Sequence, residues 1–431
     1  MTIKENTKIS FASWYVLIIC SLLYLINYVD RQVLSITVEY MRIELGLTDT
    51  EIGIIQTVFF MSMALFAFPA AYLADRWSRK KAIALMGTVW SVFTFVTGLG
   101  RNFLGVIVPR SLVGIGEAGF TSGGIPMIAA AFSPQARARV MGVFNMSMAI
   151  GAALGVVLGG WIAKTYGWRM AFYVFAVPGL ILSVLALLMK DYSAAEDKKE
   201  VGRKVSFFIT ITTLFRIPTL RWIYVGYAMQ NIMFFSFLTW GPAFLMRTQK
   251  IDSTKAGLSI GLISIMAILG SLAGGILADH WQKRNKRGRM LTAALSLLCS
   301  SVILIIAMFL ECRGIGLGFA VLYGIVAIVP IPAITAVTQD VAPPAVRSAS
   351  WGLNAFCCYV LGGAWAPMIV GAISDGLGGG GYGLKIGLII STLGGFAGAW
   401  LYWISSRTYA TDLQKAEAGE LGEVSGDRDS I

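Results

Sequence analysis

Twelve long apolar segments, separated by short polar connections, restrict this chain to one kind of fold. Each is long enough to cross the hydrocarbon core of a bilayer as a helix, which takes about 20 residues. With 56% apolar and only 13% charged residues, the chain does not have the composition of a soluble domain. The predicted spans are 12–42, 50–74, 81–100, 103–132, 138–165, 168–189, 218–246, 254–279, 289–311, 315–339, 348–373 and 384–406.

The distribution of Lys and Arg predicts the orientation. An even number of spans puts both termini on one side, and connections on that side carry 24 of the 35 basic residues, against 9 on the other side. Because cytoplasmic loops of membrane proteins carry an excess of Lys and Arg, both termini are expected in the cytoplasm. This bias also accounts for the net charge of +12, so no nucleic-acid partner is expected.

The longest polar connection divides the spans into two sets of six. The expected organisation is an N-terminal bundle over 1–189, a cytoplasmic linker over 190–217, a C-terminal bundle over 218–407 and a disordered cytoplasmic tail over 408–431. Within the linker, 205–215 is either a short helix at the membrane interface or solvated chain.

The two sets of six spans also repeat in sequence. Leu-Ala-Asp-Arg-Trp at 73–77 returns as Leu-Ala-Asp-His-Trp at 277–281, an offset of 204. A Pro, an Arg and a Gly at 134, 137 and 142 return at 344, 347 and 352, an offset of 210. Two motifs that repeat at nearly the same distance along the chain predict duplicated six-helix bundles around a central site.

Two charged residues interrupt the first apolar span. Phe11–Val29 carries no charge, Asp30 and Arg31 follow, and the uncharged sequence then continues to Val38. If this is one helix, Asp30 lies near the middle of the bilayer, where a charge costs several kcal/mol. A charge at that depth marks a functional path through the protein by default.

The fourth span carries a second pair of charges. Arg110 and Glu117 are seven residues apart, so they lie on one helix face about 10 Å apart. One interpretation is a structural salt-bridge cluster that fixes the first helix to the fourth. The other is a coupling site, in which Asp30 or Glu117 takes up a proton and leaves Arg31 or Arg110 free to attract an anionic substrate.

Basic clusters follow the second span of each half. They serve as topology anchors, but an acid in their midst also indicates an inner gate. Asp75 would close this gate by pairing with Arg79, Arg137 or Arg139, and the second-half acid would pair with Arg284 or Arg347. The predicted gating residues are Asp75, Arg76, Arg79, Arg137, Asp279 and Arg347.

The spans of the second half carry almost no charge at mid-depth. Their polar and aromatic side chains either pack or form a mostly apolar binding wall suited to an amphiphile. The only histidine, His280, has no metal-ligand cluster, nucleotide loop or nucleophile–base pair around it, so no metal, cofactor or enzymatic activity is expected. The candidate cavity residues are Asn27, Tyr227, Gln230, Asn231, Asn354 and Tyr359.

The turn at 73–81 resembles the best-known cytoplasmic motif of the major facilitator superfamily, and 110–118 resembles its fourth-helix motif. The resemblance covers essentially the whole chain. It implies an all-α membrane protein with twelve transmembrane helices in two pseudo-symmetric six-helix bundles, which works by alternating access.

Within this superfamily, Asn-Tyr-Val-Asp-Arg at 27–31 and the segment 110–120 together resemble the Spinster group. That resemblance implies proton-coupled movement of lysophospholipids or sphingolipid phosphates, with Asp30 and Glu117 handling protons beside Arg31 and Arg110. Organic-anion:proton symporters share the Asn-Tyr-x-Asp-Arg pattern, so small sugar acids or carboxylates are the alternative substrates. The expected setting is a monomer in the bilayer of a bacterial inner membrane.

Overall fold

The computed structural model describes residues 10–191, 207–343 and 346–418, which are helical and contain no strand. The predicted all-α class is therefore confirmed. The helices are α1 Phe11–Leu45, α2 Asp49–Arg76, α3 Arg79–Gly98, α4 Phe103–Glu117, α5 Phe120–Ala131, α6 Pro134–Tyr166, α7 Trp168–Ala186, α8 Phe207–Arg216, α9 Pro218–Gln249, α10 Ser253–Arg284, α11 Gly288–Phe309, α12 Ile315–Val326, α13 Pro330–Asp340, α14 Arg347–Cys358, α15 Ala366–Gly376 and α16 Gly381–Glu417, with a π-helical segment Tyr359–Gly363.

Within those ranges, eleven helical stretches are long and apolar enough to cross a membrane. Three of them combine labelled helices: α4 with α5, α12 with α13, and α14 with the π-helical segment and α15. Helix α9 covers the remaining predicted span and has 32 residues, a length of about 48 Å. Helix α9 is not one of these eleven membrane-crossing stretches. Its sequence includes the polar residues Arg221, Gln230, Asn231 and Arg247.

The fourth and tenth spans are both broken near mid-depth. The break at Ala118–Gly119 separates α4 from α5, and the break at 327–329 separates α12 from α13. Pro330 and Pro332 lack the N–H that would continue the second helix ladder. Ala118 and Ala327 are 209 residues apart, which agrees with the sequence repeat. Broken helices at matching positions of two halves are typical of transporter binding sites.

The linker and the tail are more ordered than their polarity predicts. Helix α8 occupies most of the predicted 205–215 segment, with Leu214 buried and the Phe215 ring packed edge-on against Tyr224. The prediction of disorder from residue 408 is wrong for 408–417, which belong to α16. The reason is that Asp412 accepts hydrogen bonds from the backbone N–H and hydroxyl of Thr219, and so caps α9. Residues 192–206 and 419–431 lie outside the described ranges.

The two halves meet closely at one end of the bundle. We call this the distal end, because residues 10 and 418 lie at the opposite, proximal end. There α2 packs against α15 and α6 against α10. The backbones approach so closely that a Cβ atom on Gly371 would lie 2.3 Å from the Asp49 carbonyl oxygen, and one on Gly257 would lie 2.3 Å from that of Val156. Small residues at helix crossings permit such packing in membranes.

We expect Gly371→Ala to open the distal end. The added methyl group meets backbone rather than a flexible side chain, and overpacking of this kind costs about 1–3 kcal/mol. The distal-closed form should therefore lose roughly 5- to 150-fold in population, measured as a distance distribution between spin labels on the distal ends of the two halves. The matched control is Gly376→Ala on the same helix, where a Cβ meets nothing within 4 Å. Equal behaviour of the two variants would contradict the prediction.

Candidate functional site

Two buried ion pairs join α1 to α4. The Nε atom of Arg31 lies 2.7 Å from Oε2 of Glu117, and Nη1 of Arg110 lies 3.4 Å from Oδ2 of Asp30. Adjacent residues of α1 thus pair with residues two turns apart on α4. The structure brings together all four charged residues that the sequence singled out.

These pairs lie deep in the bundle. Arg31 is 14 residues from the distal end of α1, and Glu117 is 14 residues from the distal end of α4. At 1.5 Å per residue, both lie about 21 Å inside the distal surface. This is near the middle of a helix that crosses a bilayer.

Arg31 is the accessible member of the cluster. Its side chain is 15% exposed, whereas the side chains of Glu117 and Arg110 are 0% exposed. The Arg31 guanidinium lies 4.6 Å from the centre of the Tyr28 ring, and its Nη2 atom lies 3.3 Å from the sulfur of Met63. Arg110 is instead enclosed, with its guanidinium 4.7 Å from the centre of the Phe59 ring.

The buried charges are incompletely satisfied by their neighbours. Oδ1 of Asp30, Oε1 of Glu117, and Nε and Nη2 of Arg110 have no hydrogen-bond partner among the described residues. A buried ion pair stabilises a fold only when its remaining donors and acceptors are also bonded.

An aromatic triad from both halves stands at this depth. It consists of Phe60 on α2, Phe235 on α9 and Tyr359 in the π-helical segment. The Phe60 and Phe235 rings stack with centroids 4.6 Å apart, and the Phe235 and Tyr359 rings with centroids 5.6 Å apart. Arg31 is close enough to Tyr359 to interact with it electrostatically. The accessible guanidinium thus faces an apolar wall that the second half largely supplies.

Three other predicted cavity residues, Tyr227, Gln230 and Asn231, make contacts within the second half. Gln230 faces the interior of the second half, where its Oε1 accepts from the Tyr402 hydroxyl at 2.8 Å and its Nε2 donates to the Ala327 carbonyl at 3.4 Å. Asn231 donates to the carbonyl of Tyr227 on its own helix. The Tyr227 ring packs against a neighbour within the second half, Trp351.

Two predicted cavity asparagines retain unused hydrogen-bonding capacity. Asn354 is fully buried, and neither its amide nitrogen nor its oxygen has a hydrogen-bond partner among the described residues. Asn27 lies one turn from Asp30 on α1 and is also buried. Its amide nitrogen has no hydrogen-bond partner among the described residues.

A distal ion cluster, formed by Glu39, Asp49, Arg247 and Asp375, crosses between the halves and was not predicted. Arg247 donates to both carboxylate oxygens of Asp49 at 2.7 Å and to Glu39 at 2.6 Å. In the reverse direction, Asp375 accepts from the backbone N–H groups of Asp49 and Thr50 at the start of α2. Arg247 of the second half thus pairs with two acids of the first, and Asp375 binds the first-half backbone, so both contacts hold the distal end closed.

No sequence motif marks this cluster. Its members stand at the ends of four apolar spans, where charged residues are ordinary and carry no signal of their own. The one available hint was that Arg247 belongs to the less basic set of loops.

At the proximal end, two predicted gating residues of the first half, Arg76 and Arg137, make described contacts within that half. Arg76 lies over the Tyr72 ring, and Arg137 donates to the Ala129 carbonyl at 2.9 Å. Arg79 is buried at the start of α3, and the side chain of Asp75 is outside the described part of the structure.

In the second half, the proximal acid has a different partner from the two expected. Asp279 pairs with Arg289 at 2.8 Å, and Arg289 also binds Asp340 at 2.5 Å. The expected partner Arg347 instead donates to the Ala342 carbonyl at 3.3 Å. The inter-half ion pairs formed by described residues lie at the distal end.

Comparison with known proteins supports this picture. The profile described as Major Facilitator Superfamily matches residues 20–367. The hexuronate transporter of Bacillus subtilis (strain 168) is 28% identical over 65% of this chain and 68% of its own length. Protein spinster homolog 1 of Xenopus laevis is 26% identical over 98% of this chain and 86% of its own length.

The fold also matches a solved structure. A bacterial homolog of the human lysosomal transporter Spinster, in an inward-facing and unoccupied conformation, superposes with a TM-score of 0.82 at 21% identity, covering 94% of this chain and 98% of that one. The match to the family profile covers well over half of the sequence. The chain is an integral membrane protein of the Major Facilitator Superfamily and resembles its Spinster group.

Proposed function

We propose that this protein is a proton-coupled secondary transporter of an amphiphilic anion, such as a lysophospholipid or a sphingolipid phosphate. The observation that carries the proposal is the Arg31–Glu117 pair, which lies buried at mid-depth opposite the aromatic triad. It combines an accessible cation for an anionic head group with an apolar wall for a hydrocarbon tail.

Proton coupling follows from competition for Arg31. While Glu117 is ionised, it occupies the guanidinium of Arg31 at 2.7 Å. A proton on Glu117 removes that competing charge, so an anion binds Arg31 more tightly. By linkage, the bound anion in turn favours the protonated carboxyl to the same extent.

The apolar character of the facing half supports an amphiphilic substrate. Gln230 and Asn231 donate within the second half, and the second-half group that interacts with Arg31 is Tyr359, whose ring stacks on Phe235. A polyhydroxylated acid would normally require hydrogen-bond donors from both halves.

Alternating access would use the closed distal end as one of two states. With both termini in the cytoplasm of a bacterial inner membrane, as the Lys and Arg bias predicts, the described conformation is closed to the outside. Opening requires the distal ion cluster to separate while the proximal ends approach each other. One monomer contains both halves and is sufficient for this cycle.

A small sugar acid is the second candidate, and Asn354 is the observation that favours it. This side chain offers a buried donor and acceptor in the second half, neither of which has a described partner. The hexuronate transporter of Bacillus subtilis is a relative over about two thirds of the chain.

Uptake into proteoliposomes with an inward-directed pH gradient distinguishes the two substrates. We expect a labelled lysophospholipid to accumulate and a labelled hexonate not to. Arg31→Gln should abolish lysophospholipid uptake, because the head group loses its cation. Asn354→Leu should leave it nearly unchanged, since the tail needs no hydrogen bond. Uptake of the hexonate alone, with loss in Asn354→Leu, would replace the lipid assignment with the sugar-acid one.

A further inference from the structure

The Asp30 carboxylate has a neighbour on α3 that the coupling scheme does not use. Thr94 is 1% exposed, and its hydroxyl is near enough to interact with Asp30. Helix α3 packs along α4, which carries Arg110. Thr94 therefore borders the Asp30–Arg110 pair from α3.

Thr94 differs from the other threonines of its helix. The hydroxyls of Thr88 and Thr97 donate to the carbonyls of Ala84 and Phe93, four residues earlier, at 2.8 and 2.7 Å. This is the usual way for a threonine to satisfy its hydroxyl inside a membrane helix. The hydroxyl of Thr94 makes no such bond and has no partner within hydrogen-bonding geometry among the described residues.

The three neighbouring residues Thr94, Asp30 and Arg110 together carry four polar atoms without a hydrogen-bond partner among the described residues. These atoms are Oγ1 of Thr94, Oδ1 of Asp30, and Nε and Nη2 of Arg110. Buried polar atoms are normally hydrogen-bonded, either to protein or to ordered water. A buried water needs two to four polar partners, and this set supplies both donors and acceptors.

We propose that Thr94 is a positioning residue of the proton-coupling site, which holds the second carboxylate oxygen of Asp30 together with buried water. This inference rests on the proposed proton coupling. The charged groups around Asp30 are Arg110 and Glu117 on α4 and Arg31 on its own helix. From α3, Thr94 contributes a neutral donor. A hydroxyl that donates to the ionised carboxylate lowers the pH at which that carboxyl takes up its proton.

The two acids then have separate surroundings. Glu117 pairs with the accessible Arg31 and competes with substrate, whereas Asp30 is enclosed with Arg110 and Thr94 in the first half. Substrate would act directly on Glu117. It would act on Asp30 only through the change of conformation.

The test follows the pH dependence of distal opening in the purified protein in nanodiscs, with spin labels on the distal ends and no substrate. Thr94→Val keeps the shape and removes the hydroxyl, so the pH midpoint of opening should rise by about one unit, the shift expected from one lost hydrogen bond to a charged group. Thr94→Ser retains the hydroxyl and should restore the wild-type midpoint. Thr97→Val is the matched control, because that hydroxyl only bonds its own helix.

A Thr94→Val midpoint equal to the wild-type value, or an equal shift in Thr97→Val, would overturn the role of Thr94 and leave proton coupling intact. A wild-type protein without any pH response would overturn the proposed coupling itself, and the inference with it.

Discussion

Glu117→Gln is expected to abolish proton-driven accumulation while exchange of substrate across the membrane continues. Glutamine is neutral at all pH values, so it imitates the protonated carboxyl and leaves Arg31 free. The lost interaction is a buried ion pair 2.7 Å long, and removal of one partner from such a pair costs about 3–5 kcal/mol. Accumulation driven by a pH gradient should therefore fall at least about 100-fold. Uptake and counterflow in the same proteoliposomes measure the two activities.

The control for charge alone is Glu311→Gln, which removes a partly exposed carboxylate at the distal end. It should accumulate substrate as the wild type does. Asp30→Asn should behave as Glu117→Gln does, since both acids belong to the proposed coupling site. Accumulation at the wild-type level in Glu117→Gln would show that this carboxyl carries no coupled proton.

Arg247→Gln is expected to shift the protein from the distal-closed to the distal-open form. The substitution removes the second-half cation from Asp49 and Glu39 and leaves them with Arg42, a basic partner from their own half. Hydrogen bonds to charged groups contribute about 1.5–3 kcal/mol, which corresponds to a roughly 10- to 150-fold change in the equilibrium between the two forms. Distances between labels on the distal ends should lengthen.

The chain offers a matched control in its other distal ion pair between the halves. Lys164 and Asp252 lie 3.1 Å apart, but the lysine side chain is 52% exposed. Exposed pairs contribute at most about 1 kcal/mol, so Lys164→Gln should change the population less than about 5-fold. Similar effects in both variants would mean that the distal ion cluster is not what holds this end closed.

The family, the all-α class and the choice of four charged residues as candidates for the site followed from the sequence. The reason is that membrane insertion depends on the length and polarity of each segment, which can be read without knowing its neighbours. A charge within a long apolar segment is costly wherever the helix lies, and this identifies Asp30, Arg31, Arg110 and Glu117 as candidate site residues.

Which side chains face one another was decided only by the tertiary structure. The crossed pairing of Asp30 with Arg110 and Arg31 with Glu117 depends on the rotation and spacing of α1 and α4. The distal ion cluster joins residues up to 336 positions apart in the sequence. Thr94 stands out only in the structure, where its buried hydroxyl has no hydrogen-bond partner among the described residues. The spacing of residues along the chain determines which of them share one face of a helix. It does not determine which helix lies opposite that face, because this depends on packing throughout the bundle.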